Sequence, residues 1–213
     1  MKWLNETIEF PPLTKTNPEG LLAVGGDLSP ERVLYAYQNG IFPWYESDQP
    51  ILWWAPDPRF VLYPHKLKVS KSTKQILKNH SFEITMNRNF EDVITACANV
   101  KREAQSGTWI TDEMIETYCK LHQKGIARSV EVWQNKKLVG GLYGIELNDT
   151  IFCGESMFSY VSNASKIGFI SLVQNSNYKL IDCQLHTNHL QSLGAKAISR
   201  SKFMEYIKPQ ITT

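Results

Sequence analysis

Between Arg59 and Phe82 the sequence has no aspartate or glutamate, although the 213-residue chain is nearly balanced at a formal charge of +2. The same stretch carries Arg59, Lys66, Lys68, Lys71, Lys74 and Lys78. A merely soluble face mixes signs, so this segregation predicts a local positive field and a polyanionic partner. Long apolar runs are also missing: no window reaches the roughly 18 residues that a membrane helix needs. The opening MKWLNETIEFPP lacks the apolar stretch and small-residue cleavage site of a secretory leader. These absences lead to the expectation of a cytoplasmic protein with no membrane partner. Cysteine is scarce and unpaired in sequence: Cys97, Cys119, Cys153 and Cys183 form no C-x-x-C motif. Zinc and a disulfide framework are therefore not expected, and the cysteines read as small buried hydrophobes.

What is present fits one large domain with a smaller satellite. Hydrophobic residues make up 42% and charged residues 21%, enough for a core without metal or disulfide staples. The texture changes near residue 60, which divides the chain into 1–60 and 61–213. The first part is rich in Pro, Gly and Trp. It holds one good helix signal, GGDLSPERVLYAYQNG, with Ser29 as cap, Pro30 in the first turn and Gly40 at the stop. Pro43, Pro50, Pro56 and Pro58 then crowd residues 41–60, a density that argues against helix and central strand alike. In the second part RFVLY and FEITMN read as strands. SKSTKQILKN reads as a helix capped by Ser70 or Ser72, NFEDVITACAN as one capped by Asn89, and TDEMIETYCKLHQKG as one running from Thr111 to Gly125. SVEVWQ, KLVGGLYGIEL and TIFCGE read as a meander with turns at Asn135-Lys136 and Asn148-Asp149. A helix over NASKIGFISLVQNS, a strand over KLIDCQ and two further helices, near HLQSLG and over SKFMEYI, complete an α+β pattern. Meander, helix and further strand is the element order of acetyltransferase-like (GNAT) folds, with a small N-terminal α/β domain in front.

Several residues are candidates for chemistry. FCGESMFS begins like the G-x-S-x-G turn that presents a serine nucleophile, but Phe158 stands where the second glycine belongs, and the preceding strands read as antiparallel. Glu155 ends an apolar strand, where a charge needs a partner. It reads either as an exposed strand-end acid or as a carboxylate at the mouth of an apolar pocket. Asp182 and Gln184 lie two apart in a strand, so both are expected on one face, with Ile181 and Cys183 on the other. Trp44 and Trp109 sit in loop signals next to helix boundaries, as stacking platforms or as plugs of the domain seam. Trp53, Trp54 and Trp133 read as packing residues. Lys71, Lys74 and Lys78 recur at helical spacing and form one stripe, preceded by Lys66 and Lys68. The acyl-CoA pyrophosphate cradle is missing: its nearest match, QSLGAK, carries lysine where a small residue belongs, and it follows KLIDCQ rather than the meander.

The strings GLLAVGGDLSPERVLYAYQNGIFPWY, WWAPDPRFVL, GTWIT, GLYG, FCGESMFS, NASK and LIDCQ, in that order, closely resemble the bacterial leucyl/phenylalanyl-tRNA–protein transferases. The resemblance runs from about Gly20 to Phe203. It implies a small N-terminal domain joined to a GNAT-like catalytic domain. It also implies transfer of leucine, phenylalanine and sometimes methionine from aminoacyl-tRNA to proteins bearing an N-terminal Arg or Lys, which marks them for N-degron proteolysis. Trp44, Trp109 and Tyr118 match residues that hold the terminal adenosine of the tRNA. Asp182 and Gln184 match the catalytic pair, and Glu155 matches an active-site acid. The aminoacyl pocket would comprise Leu142, Phe152, Met157, Leu172 and Ile181, with methionine and phenylalanine more usual at the positions of Leu142 and Leu172. The expected state is a monomer, and the chain ends earlier after Phe203 than the resemblance suggests. Since the aminoacyl ester is already activated, no cofactor, ATP or metal is expected. Gln184 would accept a hydrogen bond from the attacking amine, with Asp182 polarising Gln184. The rivals are an acyl-CoA N-acetyltransferase and a non-catalytic RNA-binding protein.

Overall fold

A computed structural model describes residues 2–79, 81–100 and 109–208. Gly107 and Thr108 of the GTWIT string lie outside the described residues.

The described residues form two sheets. The first contains β1 (Lys2–Leu4), β2 (Leu21–Gly25), β3 (Phe42–Pro43) and β4 (Leu52–Trp54) in the order β1-β2-β4-β3. β1 runs parallel to β2, and the other pairings are antiparallel. The proline-dense segment therefore does contain strands, contrary to expectation. Pro43 is tolerated because β3 is an edge strand, where a missing N–H breaks no ladder, and the inner strand β4 is proline-free. Helix α1 (Pro30–Gln38) follows the sequence signals closely. The Ser29 side chain accepts from Arg32 N, Pro30 opens the first turn, and Gly40 closes the helix at φ +73°.

The second sheet holds seven strands: β5 (Arg59–Leu62), β6 (Glu83–Met86), β7 (Ala127–Gln134), β8 (Lys137–Leu147), β9 (Ile151–Ser159), β10 (Leu180–Gln184) and β11 (Lys196–Ile198). Their order is β11-β5-β10-β9-β8-β7-β6, and every pairing is antiparallel except β10 with β9. The turns at Asn135-Lys136 and Asn148-Asp149 have positive φ at both residues, as tight hairpin turns of this hand require. Helices α2 (Lys71–Lys78), α3 (Phe90–Asn99), α4 (Asp112–Gln123), α5 (Ala164–Asn175), α6 (Asn188–Ser192) and α7 (Arg200–Ile207) complete the α+β architecture. Meander, α5 and returning β10 reproduce the GNAT-like order.

Ser70 caps α2 and Thr111 caps α4. Asn89 occupies the cap position of α3 without capping it. Its own backbone N–H donates to Glu131, a fully buried carboxylate that also accepts from Thr85 and Ser129. The β8–β9 pairing shifts register between Tyr143 and Gly144, where a Cβ on Gly144 would lie 2.1 Å from the Cys153 carbonyl oxygen. One hydrophobic core runs through both sheets, from Leu22, Trp53 and Tyr37 to Val61, Tyr118 and Phe203, and a second lies beneath the β8–β9–β10 strands and α5.

Candidate active site

The parallel pair β9–β10 makes the opening. Its register runs Leu180 with Ile151, Ile181 with Phe152 and Asp182 with Cys153, and stops there. Beyond this point β9 continues to Ser159 paired with β8, while β10 ends at Gln184. A cavity of about 380 Å³ occupies the gap. Leu142, Phe152, Met157, Phe169 and Ile181 form its apolar side. Glu155, Asp182 and Gln184 supply the polar edge, and Phe42, Trp44 and Trp109 stand at the loop side.

FCGESMFS lies wholly within β9, so Glu155 is mid-strand rather than at a strand end, and it is the extra residue where the β8–β9 register shifts between Gly154 and Ser156. Ser156 sits opposite Tyr143 in the ladder. A strand interior cannot make the strained turn of a nucleophile elbow, so that reading is excluded.

The polar edge is a chain of contacts. Gln184 Nε2 donates to Glu155 Oε1 at 2.7 Å, and the Tyr118 hydroxyl donates to Glu155 Oε2 at 3.0 Å. The Tyr37 hydroxyl lies 2.8 Å from that of Tyr118. Burial pushes the Glu155 carboxyl up to about 7, and the negative charge of Asp182 adds to it. The tyrosine and glutamine hydrogen bonds pull the other way without cancelling burial. Burial and the nearby Glu155 charge hold both tyrosine hydroxyls well above their ordinary range.

Asp182 faces elsewhere. Its two carboxylate oxygens accept from Arg59 Nε at 2.8 Å and from a terminal guanidinium nitrogen at 2.6 Å, with both side chains buried. For Arg59, burial alone favours the neutral form, but the charge and hydrogen bonds of Asp182 outweigh it and raise the pKa. Asp182 and Gln184 therefore do not share a face, contrary to the expectation from strict alternation. The β5–β10 register shifts between them, and Gln184 adopts φ +59°. Leu185 N donates to the Cys183 carbonyl at 2.7 Å, closing a three-residue γ-turn around Gln184. Such backbone costs about 1–3 kcal/mol and needs support from its surroundings. Asp182 Oδ1 gives that support by accepting from Gln184 N at 2.9 Å. Asp182 thus holds the Gln184 backbone, and Glu155 is the group that meets the Gln184 side-chain amide.

Of the expected aromatics, Trp44 and Trp109 both line the cavity, with Trp44 36% exposed. Tyr118 is fully buried against Tyr143, and only its hydroxyl reaches the polar edge. Leu142, Phe152, Met157 and Ile181 line the cavity. Leu172 is buried in the neighbouring core, and Phe169, one helical turn away on α5, forms the wall. Lys66, Lys68, Lys71, Lys74 and Lys78 are all exposed, and among the described residues none forms an ion pair. Lys68 N donates to the Leu193 carbonyl just after α6, whose His189 and Leu190 line the cavity, so the basic run starts beside the site. Arg59, read as part of that run, is instead consumed by Asp182. Sequence reasoning missed Arg59, Tyr37 and Phe169. The one available signal was Arg59, a charge opening the apolar strand RFVL, where burial demands a partner.

The family model described as "Leucyl/phenylalanyl-tRNA protein transferase" matches residues 61–208, and its N-terminal domain model matches residues 26–57. The chain belongs to the leucyl/phenylalanyl-tRNA–protein transferase family. It is an aminoacyltransferase. The leucyl/phenylalanyl-tRNA–protein transferase of Flavobacterium johnsoniae is 56% identical over 98% of this chain and 99% of the relative. That of Pseudomonas aeruginosa is 53% identical over 98% of this chain and 94% of the relative. Among solved structures, a GCN5-related N-acetyltransferase from Kribbella flavida aligns at TM-score 0.38 and 10% identity, covering 78% of this chain and 60% of that one, which decides nothing by itself. Among the described residues no group of three or more His, Cys, Asp or Glu side chains is placed to hold a metal ion, and no helix is long and apolar enough to cross a membrane.

Proposed function

We propose that this transferase moves leucine, phenylalanine and methionine from aminoacyl-tRNA to proteins with N-terminal Arg or Lys. It forms a peptide bond and marks those proteins for N-degron proteolysis. The observation that carries this reading is the cavity itself: an apolar chamber ending at the Glu155–Gln184 pair, with two tryptophans in its lining and an exposed lysine run starting behind its His189–Leu190 wall.

Each part has a task. The aminoacyl side chain occupies the space bounded by Leu142, Phe152, Met157, Phe169 and Ile181. Trp44 and Trp109 hold the terminal adenosine by stacking, and Tyr118 supports the site from beneath. Lys66, Lys68, Lys71, Lys74 and Lys78 follow the tRNA backbone. The acceptor's α-amine, with an ordinary pKa of about 8, attacks the ester carbonyl carbon as the neutral amine. The carbon–nitrogen bond forms as the bond to the ribose oxygen breaks. The proton lost by nitrogen ends on that ribose oxygen, and the neighbouring ribose hydroxyl is a suitable shuttle. Because Gln184 Nε2 is committed to Glu155, its Oε1 is left to accept from the amine. Catalysis then rests mainly on orientation of an already activated ester, with no cofactor consumed. The reaction belongs in the cytoplasm and is carried out by a monomer.

The test uses Phe-tRNA carrying labelled phenylalanine and a peptide beginning with Arg, without ATP or CoA. Label in the peptide supports the proposal. Tight tRNA binding without transfer points to an RNA-binding protein, and acylation only from acetyl-CoA points to an acetyltransferase.

A further inference from the structure

Arg59 has no assigned task, yet it is among the most fully engaged side chains in the molecule. It opens β5 at 1% exposure. Two of its nitrogens hold both oxygens of Asp182, and the third donates to the Gly40 carbonyl at 3.2 Å. Its guanidinium carbon sits 4.7 Å from the ring centres of both Phe42 and Phe203. Three distant parts of the chain therefore meet on one cation: the loop after α1, the end of β10 and helix α7.

We propose that Arg59 is the positioning residue of the transfer site, clamping Asp182 so that Asp182 can hold the γ-turn of Gln184 and tying that turn to the Phe42–Trp44 segment. The inference rests on the aminoacyl-transfer reading above. The order of contacts carries it. Asp182 Oδ1 accepts from both Arg59 Nε and Gln184 N, so the direction of the carboxylate sets the position of the Gln184 backbone. The side-chain amide of Gln184 then bridges the gap to Glu155 across the cavity. With both oxygens occupied in the interior, Asp182 acts through Gln184 and does not meet the acceptor amine. On the other side, Phe42 lies against the guanidinium and also lines the cavity, two residues before Trp44. One clamp thus sets both the glutamine and the tryptophan loop. Lysine cannot replace it, because an ammonium is a point charge without the planar fork that engages two carboxylate oxygens and a carbonyl together.

Single-turnover transfer with pre-bound Phe-tRNA tests the clamp on unaltered protein, Arg59→Lys, Asp182→Asn and the double variant. The expected result for each single variant is a transfer rate more than tenfold slower, with Phe-tRNA dissociation constants within threefold of the unaltered protein. The double variant should be no slower than the slower single one, since both remove the same link. A rate within tenfold for Asp182→Asn or for a folded Arg59→Lys overturns the clamp. So does a loss confined to tRNA affinity, or losses that multiply in the double variant. If Arg59→Lys does not melt cooperatively, the isosteric Asp182→Asn decides by the same threshold. Absence of transfer by the unaltered protein overturns the functional reading, and the clamp with it.

Discussion

Exchanging Glu155 for glutamine should remove one of two proton-linked steps from the reaction and alter stability in a pH-dependent way. The folded Glu155 titrates at about 7 against an ordinary value of 4.5, a gap equivalent to at most about 3 kcal/mol. The sign follows from which state holds the proton. Between these two pH values the folded protein binds it more tightly than the unfolded chain. This group's stabilising contribution is therefore complete below about 4.5, declines as pH rises, and is gone above about 7. Glu155→Gln removes that decline. Relative to wild type, the variant should gain about 2–3 kcal/mol between pH 5 and pH 8 in denaturant unfolding, less any hydrogen bond it fails to remake. Transfer should respond in the opposite sense. Ionised Glu155 can only accept, which fixes Gln184 with its Nε2 inward and its Oε1 toward the cavity. A protonated carboxyl can donate, and the amide is then free to reverse. The acceptor amine must also be neutral, with a pKa of about 8. Wild-type single-turnover rate should thus rise with a logarithmic slope approaching about two below pH 7 and about one between 7 and 8. Glu155→Gln should be slower and keep only the single slope of the amine. Equal slopes for the two proteins, or a stability difference that does not change between pH 5 and pH 8, would refute the reasoning.

Three further outcomes are expected. Phe169→Leu trims the apolar wall and enlarges the chamber without adding a polar group, so it should shift the kcat/KM ratio toward Phe-tRNA over Leu-tRNA by about 1–3 kcal/mol, measured by competition. Lys71→Glu combined with Lys74→Glu should weaken Phe-tRNA binding and reduce the slope of log affinity against log salt by about 2, and an unchanged slope would remove α2 from the tRNA path. Gly144→Ala places a methyl group 2.1 Å from the Cys153 carbonyl oxygen, a backbone atom, and should cost more than about 3 kcal/mol in unfolding free energy.

The sequence speaks most clearly where structure is local. Ser29, Ser70 and Thr111 cap the helices expected of them, and Asn135-Lys136 and Asn148-Asp149 make the hairpin turns. Asn89 misleads because a residue 42 positions away, Glu131, takes over the helix start. Strands of two or three residues, such as β3 and β11, carry too little periodicity to be read. At the site, residue types are legible but directions are not. Asp182 and Gln184 do touch, but not as two side chains on one face, since a register shift cannot be seen in an alternating pattern. Leu172 and Phe169 are three apart on α5 and both apolar, and only the docking of the helix decides which one meets the cavity. Arg59 hides among lysines because its partner lies 123 residues further on.

The meeting of Gly40, Asp182 and Phe203 around Arg59 also fixes when a newly made chain becomes competent. Synthesis adds about 5–20 residues per second from the N-terminus. The helix α1 and the first sheet are complete well before β10 exists, and Arg59 waits with its charge uncompensated until Asp182 has been made, 123 residues later. A growing polypeptide is surrounded by charged tRNA, yet it holds only half of the apparatus that uses it. Competence therefore arrives only once helix α7 has been made. Chains arrested at residue 199, before α7, should bind tRNA through the lysine run and transfer nothing. Measurable transfer from such arrested chains would separate helix α7 from the timing.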